Sequence, residues 1–184
     1  MTNRILAHWP WAVGTILLAL VVHLATVILL PGFIMNRTLA ALTRSGGYNM
    51  LHHQARATSE SHGVVRPSPD LLYSTCPYDL SHGPLLVRAR VPTGTYWSVS
   101  AFDANTDNFF VRNDLQARNG EVAFIIFPPP YPDDRPYPHD VQQVWSPTLR
   151  GLVLFRTLIN NEADLAEIDS ARRQASCQTY RPGP

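Results

Sequence analysis

The spacing of apolar positions changes twice along the chain and divides it into three parts. Residues 11–30 read WAVGTILLALVVHLATVILL, with no Asp, Glu, Lys or Arg. At about 1.5 Å per residue this run makes a helix of roughly 30 Å, the hydrocarbon thickness of a bilayer. Trp9 and Trp11 suit one interface, and Pro31-Gly32 predicts a helix break at the other. A cleaved signal peptide is the rival. It has a shorter apolar region followed by a small-x-small site, which Pro31-Gly32-Phe33-Ile34-Met35 does not offer. The segment is therefore read as an anchor, with His23 an ionisable group near its middle that suits a contact with another helix. Over residues 36–56, helix-compatible pieces are interrupted by Ser45-Gly46-Gly47, as in a neck.

After Pro67 the period becomes two. In residues 85–91, Leu85, Val87, Ala89 and Val91 alternate with Leu86, Arg88 and Arg90, a half-buried strand. Pro92-Thr93-Gly94 turns the chain into residues 96–102, where Trp97, Val99 and Ala101 share a face. Further strands are predicted at 71–74, 108–112, 121–127 and 151–158. The run 121–127 is apolar on both faces, as a central strand is. A closing helix is predicted over 162–174, with Asn161 as N-cap, Leu165, Ile168 and Ala171 as its apolar stripe, and Arg172 and Arg173 at its end. The pattern predicts a mainly β protein, a jelly-roll-like β-sandwich with a C-terminal helix, preceded by one transmembrane helix. The division is 1–34 tail and anchor, 35–65 neck, 66–184 sandwich.

Composition narrows the function classes. A net charge of +1 argues against nucleic acid as a partner. All 15 basic residues are arginine, which excludes a lysine nucleophile or Schiff base. Two cysteines, Cys76 and Cys177, are too few for a zinc ribbon. Orientation is balanced. Arg4 precedes the span while Arg37 and Arg44 follow it, which favours a cytoplasmic domain. A Cys76–Cys177 disulfide tying the tail to the domain would need an oxidising periplasm, and the periplasmic reading is adopted here.

Several stretches in order resemble the bacterial family called domain of unknown function 1254. They are Val65-Arg66-Pro67-Ser68-Pro69-Asp70-Leu71-Leu72-Tyr73-Ser74, Tyr78-Asp79-Leu80-Ser81 with Gly83-Pro84, and Tyr96-Trp97-Ser98-Val99. Phe102-Asp103-Ala104-Asn105-Thr106-Asp107-Asn108-Phe109, Ser146-Pro147-Thr148, and Phe155-Arg156-Thr157-Leu158 with Ala163-Asp164-Leu165 continue the series. The resemblance implies a jelly-roll β-sandwich and transfers no catalytic residue. Longer members carry a second module, domain of unknown function 1214, for which this chain has no room. The chain is thus similar to short, membrane-anchored members whose companion is a separate membrane-anchored subunit, which places it in the bacterial inner membrane.

Candidate chemistry is sparse. Asp103-x-Asn105-x-Asp107 has the ligand spacing that opens a calcium loop, with Asp114 at the twelfth position. Asn108 replaces the required glycine, so a turn capping its own backbone is preferred. Arg156 recurs at the alternate positions of Leu152, Leu154 and Leu158, which predicts that it points inward and needs a carboxylate from Asp70, Asp79 or Asp103. Together with Arg66, Tyr73, Asn105 and Asp107, these residues form the candidate ligand-binding or structural polar cluster. No G-x-S-x-G elbow is present, and His52, His53, His62, His82 and His139 lack metal-ligand spacing, so neither metal nor cofactor is expected. Residues 128–140, PPPYPDDRPYPHD, form a stiff loop suited to partner docking or surface connection. The resulting expectation is a binding or assembly module on a single span, in contact with the bilayer and a companion subunit of the 1214 type. The alternative is a hydrolase-like enzyme acting on an amphiphilic or anionic small substrate through Asp70, Tyr73, Asp79, Asp103 and Arg156.

Overall fold

The computed structural model describes residues 2–44, 46–61, 67–130, 137 and 141–181. Arg66, His62, His139 and most of the proline-rich segment lie outside the described residues.

The apolar N-terminal run belongs to one helix, α1 (Thr2–Thr43), which continues through Pro10 and Pro31. The predicted break at Pro31-Gly32 is absent, and much of the predicted neck is helix. A proline withholds one N–H from the helix ladder and crowds the preceding turn. Here the turns beyond it gain a partner that offsets this: Met35 and Leu39 are buried, and α1 meets strands of the adjacent sheet. The apolar stretch before Pro31 is exposed all round, and among the described residues α1 alone is long and apolar enough to cross a membrane.

Two sheets follow. Their strands are β1 (His52–His53), β2 (Leu71–Asp79), β3 (Leu85–Arg90), β4 (Trp97–Phe102), β5 (Asn108–Asn113), β6 (Glu121–Phe127), β7 (Gln142–Trp145), β8 (Arg150–Leu158) and β9 (Ser176–Thr179). One sheet runs β1-β2-β8-β4-β5 and the other β7-β6-β3-β9. Every pairing is antiparallel except β6 with β7. The core lies between the sheets, where Tyr78, Val99, Val153 and Phe155 meet Leu85, Val87, Phe124 and Ile126. The strands predicted from alternation are present. In β3, Leu85, Val87 and Ala89 are buried while Arg88 and Arg90 are exposed. β6 is buried on both faces after its first residues: Phe124 and Ile126 face the core between the sheets, and Ile125 and Phe127 pack with Tyr137 and Val141 on the other side. β1, β7 and β9 were not foreseen.

Cys76 and Cys177 form a disulfide that ties β2 of one sheet to β9 of the other. Both residues are buried. The second helix, α2 (Leu165–Arg173), follows a single 3-10 turn (Glu162–Asp164) whose N-cap Asn161 accepts from the Ala163 amide, 3.1 Å. It packs Ile168 and Arg172 inward at the edge formed by β1 and β2.

The last turns of α1 cross the outer face of the five-stranded sheet diagonally. Gly32 lies at the β4–β5 connection, where an added methyl group would sit 3.6 Å from the Asn105 side-chain oxygen. At the other end Gly46 lies against the His52 ring, and Asn49 joins the end of β2. The Asn49 amide donates to the Pro77 carbonyl (2.8 Å), and the Asp79 amide donates to the Asn49 side chain (2.9 Å). β2 is therefore covered on both faces, which is why Thr75 and Pro77 are buried alongside Cys76 and Tyr78.

Candidate functional site

The residues singled out from the sequence fall into separate places. Asp70 is exposed in the turn before β2, and Tyr73 uses its hydroxyl to accept from the Ser68 amide, 3.1 Å. Asp79 closes β2, nine residues after Asp70, which puts the two about 30 Å apart along an extended strand. Its carboxylate accepts from Arg150 Nε (2.7 Å) and from the Ser81 amide (2.9 Å). Burial alone would push the Asp79 carboxyl up, but the Ser81 hydrogen bonds and the Arg150 ion pair outweigh it and hold it below the usual range. Asp103 is buried, and its Oδ1 accepts from the amides of Asn105 (2.7 Å) and Asp107 (3.0 Å). The triplet that resembled a calcium loop is thus a turn capping its own backbone, with Asn105 and Asp107 exposed. Among the described residues no group of three or more His, Cys, Asp or Glu is placed to hold a metal.

Arg156 does not point into the core. In β8 the buried face is Gly151, Val153, Phe155 and Thr157, and Arg156 shares the half-buried outer face with Leu152, Leu154 and Leu158. Both faces of β8 are apolar because α1 packs against part of the outer one, so the leucine pattern could not tell them apart. The Arg156 guanidinium approaches Ser100 Oγ at 3.5 Å, and none of the three proposed carboxylates meets it. The acid–base constellation of the hydrolase reading is not assembled.

Several residues of the ordered motif series do meet, at one end of the sandwich. The Tyr78 hydroxyl donates to the Phe102 carbonyl (3.1 Å) and contacts Ser146 Oγ (2.9 Å). Ser146 Oγ donates to the Thr148 carbonyl (2.6 Å), and Thr148 Oγ1 accepts from the Ala104 amide (2.9 Å). Gly151 sits directly beneath the Tyr78 ring, where a side chain would collide with the ring and with the Phe102 carbonyl. This is a structural knot that fastens the β4–β5 and β7–β8 connections to β2.

A charged cleft lies elsewhere, between β1 and α2. It is an open depression of about 610 Å³ lined by His53, Arg56, Glu162, Asp169, Arg172 and Arg173, with Leu72 and Leu165 as its apolar wall. Arg172 is its organising group. It is 6% exposed, donates through Nη1 to the carbonyls of Tyr73 (2.7 Å) and Gln54 (3.0 Å), and pairs with Asp169. Asp169 also accepts from Arg173, 2.7 Å, so one carboxylate faces two guanidiniums. Burial would raise the Asp169 carboxyl, but the bonds from Arg173 and Arg172 prevail and lower it. Arg56 meets Glu162 through both carboxylate oxygens, 2.7 and 2.9 Å. His53 Nδ1 lies 2.8 Å from Ser74 Oγ. Burial lowers the His53 pKa, the positive charges of Arg172 and Arg173 lower it further, and Asp169 only partly opposes them. The imidazole is therefore neutral at neutral pH. Ser74 is fully buried, so the His53–Ser74 contact fixes the ring and does not present a nucleophile. Each guanidinium of the cleft is paired with a carboxylate, Arg56 with Glu162 and Arg172 and Arg173 with Asp169. The sequence carried one signal for the cleft: Arg172 stands four residues after Ile168, on the buried stripe of the predicted helix.

Comparison with known proteins agrees with the resemblance. The family model described as Protein of unknown function (DUF1254) matches residues 48–179. No curated protein matches the chain. Among solved structures, the VPA0106 protein from Vibrio parahaemolyticus superposes with a TM-score of 0.64 at 15% identity, covering 89% of this chain and 40% of that one. An uncharacterized protein from Burkholderia cenocepacia gives a TM-score of 0.46 at 14% identity, over 100% of this chain and 54% of that one. The chain thus spans less than half the length of the Vibrio protein, whose likeness supports the fold.

Proposed function

The chain belongs to the DUF1254 family of proteins of unknown function, and on that premise we propose that it is a single-span protein of the bacterial inner membrane. Its sandwich, of jelly-roll kind in this reading, is a periplasmic binding or assembly module beside a companion subunit of the 1214 type. The jelly-roll reading is supported by successive strands that change sheets, β2 to β3 and β3 to β4.

The observation that carries the proposal is the continuity of α1. One uninterrupted helix passes from an apolar half exposed on every side to turns that are packed on the sandwich. An exposed apolar surface of that size needs lipid or another helix to cover it. Its threonine hydroxyls are already satisfied, since those of Thr15 and Thr26 donate to the carbonyls of Trp11 and Val22 one turn back (2.9 and 2.8 Å). The interior disulfide supports an oxidising compartment for the domain, with the start of α1 on the cytoplasmic side. His23, in the exposed apolar stretch, suits a helix–helix hydrogen bond to the companion subunit.

The test is affinity purification of the full-length chain from its own membrane in mild detergent, with mass spectrometry of proteins and bound small molecules. A stoichiometric membrane-anchored partner is the expected result. A clean monomer with no partner overturns the assembly reading, and a small polar molecule retained with it would move the β1–α2 cleft to the centre of the function.

A further inference from the structure

A membrane anchor and its domain are ordinarily joined by a tether whose slack leaves the domain free above the bilayer. Here the tether is missing. Residues 11–30 fill the roughly 30 Å of hydrocarbon, so Gly32 lies only about 3 Å beyond its boundary. At that level the helix already lies beside the sandwich: a methyl group added at Gly32 would stand 3.6 Å from the Asn105 side-chain oxygen and 3.8 Å from the Ala104 carbonyl. The following turns are fixed by burial of Met35 and Leu39. A rigid helix that meets the domain this close to the boundary leaves no room for an aqueous gap.

The corner brought to that depth has the character of an interfacial surface. The β4–β5 connection is bonded to the β7–β8 connection through Ala104 and Thr148. Trp145, at the end of β7 with its ring stacked on Phe127, and Leu149, in the β7–β8 connection, are 48% and 45% exposed. Phe33, one residue past Gly32, is also exposed, and Arg37 one turn further on holds its guanidinium over the Phe33 ring, 5.2 Å from its centroid. Tryptophan and arginine beside an apolar span are residue types characteristic of a membrane interface. The carboxylate of Asp103 is turned inward onto its own loop, while Asp107 is exposed, so insertion of apolar side chains and not attraction to anionic lipid would hold this corner.

We propose that the β4–β5/β7–β8 corner is a membrane-docking surface, seated in the lipid interface with Trp145 and Leu149 as its insertion residues. The inference rests on α1 being a span and adds to it the face that the domain turns to the bilayer. The β1–α2 cleft, at the opposite edge of the sheet, then faces away from the lipid and towards soluble ligands or partners.

The experiment uses the full-length chain carrying Trp9→Phe and Trp11→Phe, reconstituted in phosphatidylcholine vesicles. Emission then comes from Trp97, buried in the core, and from Trp145. The Trp145 share is the part removed by Trp145→Phe. Acyl chains brominated near the glycerol should reduce that share by about twofold, as they do for an indole at the interface, and aqueous iodide should have little effect on it. A polar helical insertion of seven residues after Leu30, two turns or about 10 Å, should raise the corner and abolish the quenching. If the chain resists alkaline extraction while Trp145 is open to iodide and untouched by brominated lipid, the docking surface is wrong and the anchor stands. If alkaline washing releases the chain, the anchor reading falls and the docking surface with it.

Discussion

Gly151 shows how one missing side chain holds the hydrogen-bonded knot at the end of the sandwich together. Tyr78 has its ring over Gly151 and its hydroxyl between Phe102 and Ser146, and no side chain fits beneath it. Gly151→Ala should therefore cost about 3 kcal/mol, by overpacking a site bounded by backbone and a buried ring. Tyr78→Phe keeps the ring and should cost about 1 kcal/mol, the net worth of its hydrogen bonds. Urea midpoints on the detergent-solubilised chain would show the order, and equal losses would mean that the hydroxyl and not the packing dominates. His53 makes a second prediction at this scale. Its folded pKa is lowered, so at mildly acidic pH the unfolded chain binds the extra proton and the folded chain does not. Stability should be flat above about pH 6.5 and fall as the pH drops below it, and His53→Gln should flatten that fall. Asp79 and Asp169 have lowered pKa values too, and their contribution is lost only at more acid pH, below the ordinary carboxylate value. A His53→Gln profile parallel to wild type between pH 7 and 5 would remove the assignment. Side-chain direction was the least legible feature at this scale. Arg156 alternates with leucines while Arg172 stands among polar neighbours near the end of a helix, yet Arg172 is the buried one. The difference arises from α1 and α2 packing against the sheet, contacts more than a hundred residues apart in sequence that no local pattern contains.

Elements were legible where they carry a period and obscure where they do not. β3, β4 and β6 each run six or seven residues and show their alternation or full burial directly. β1 has two residues and β7 and β9 four each, too few to display a period; their neighbours define them through hydrogen bonding. Pro31 predicts a terminator because its local effect is unfavourable, and the helix runs on because tertiary burial of Met35 and Leu39 offsets it. The most consequential link between elements is the disulfide. Cys76 and Cys177 are 101 residues apart in sequence and join the two sheets. Closing a loop of about 100 residues limits the unfolded chain by roughly 4–5 kcal/mol in the chain-entropy account. A Cys76→Ser/Cys177→Ser chain should thus unfold at much lower denaturant than the oxidised protein, and reductant should bring the oxidised protein to the same midpoint. If reduction leaves the midpoint unchanged, the sheets are held by their packing alone.

At the scale of the molecule, α1 is both an anchor and a structural element, and two truncations separate the roles. Deleting residues 1–30 removes the exposed apolar half and leaves the turns that bear Met35 and Leu39. The shortened chain should be soluble without detergent and should keep the denaturant midpoint of the full-length protein. Deleting residues 1–46 uncovers the outer face of β2 and β8. It forfeits two buried side chains worth about 1.5–3 kcal/mol each, so the midpoint should fall by the equivalent of about 3–6 kcal/mol. The same deletion exposes Thr75 and Pro77, covered in the intact fold, and should increase self-association. Equal stability of the two truncations would show that the helix merely touches the sandwich. A loss confined to the longer deletion would show that the anchor is continuous with the core of the domain, so that the orientation of the helix in the bilayer fixes the orientation of the sandwich above it.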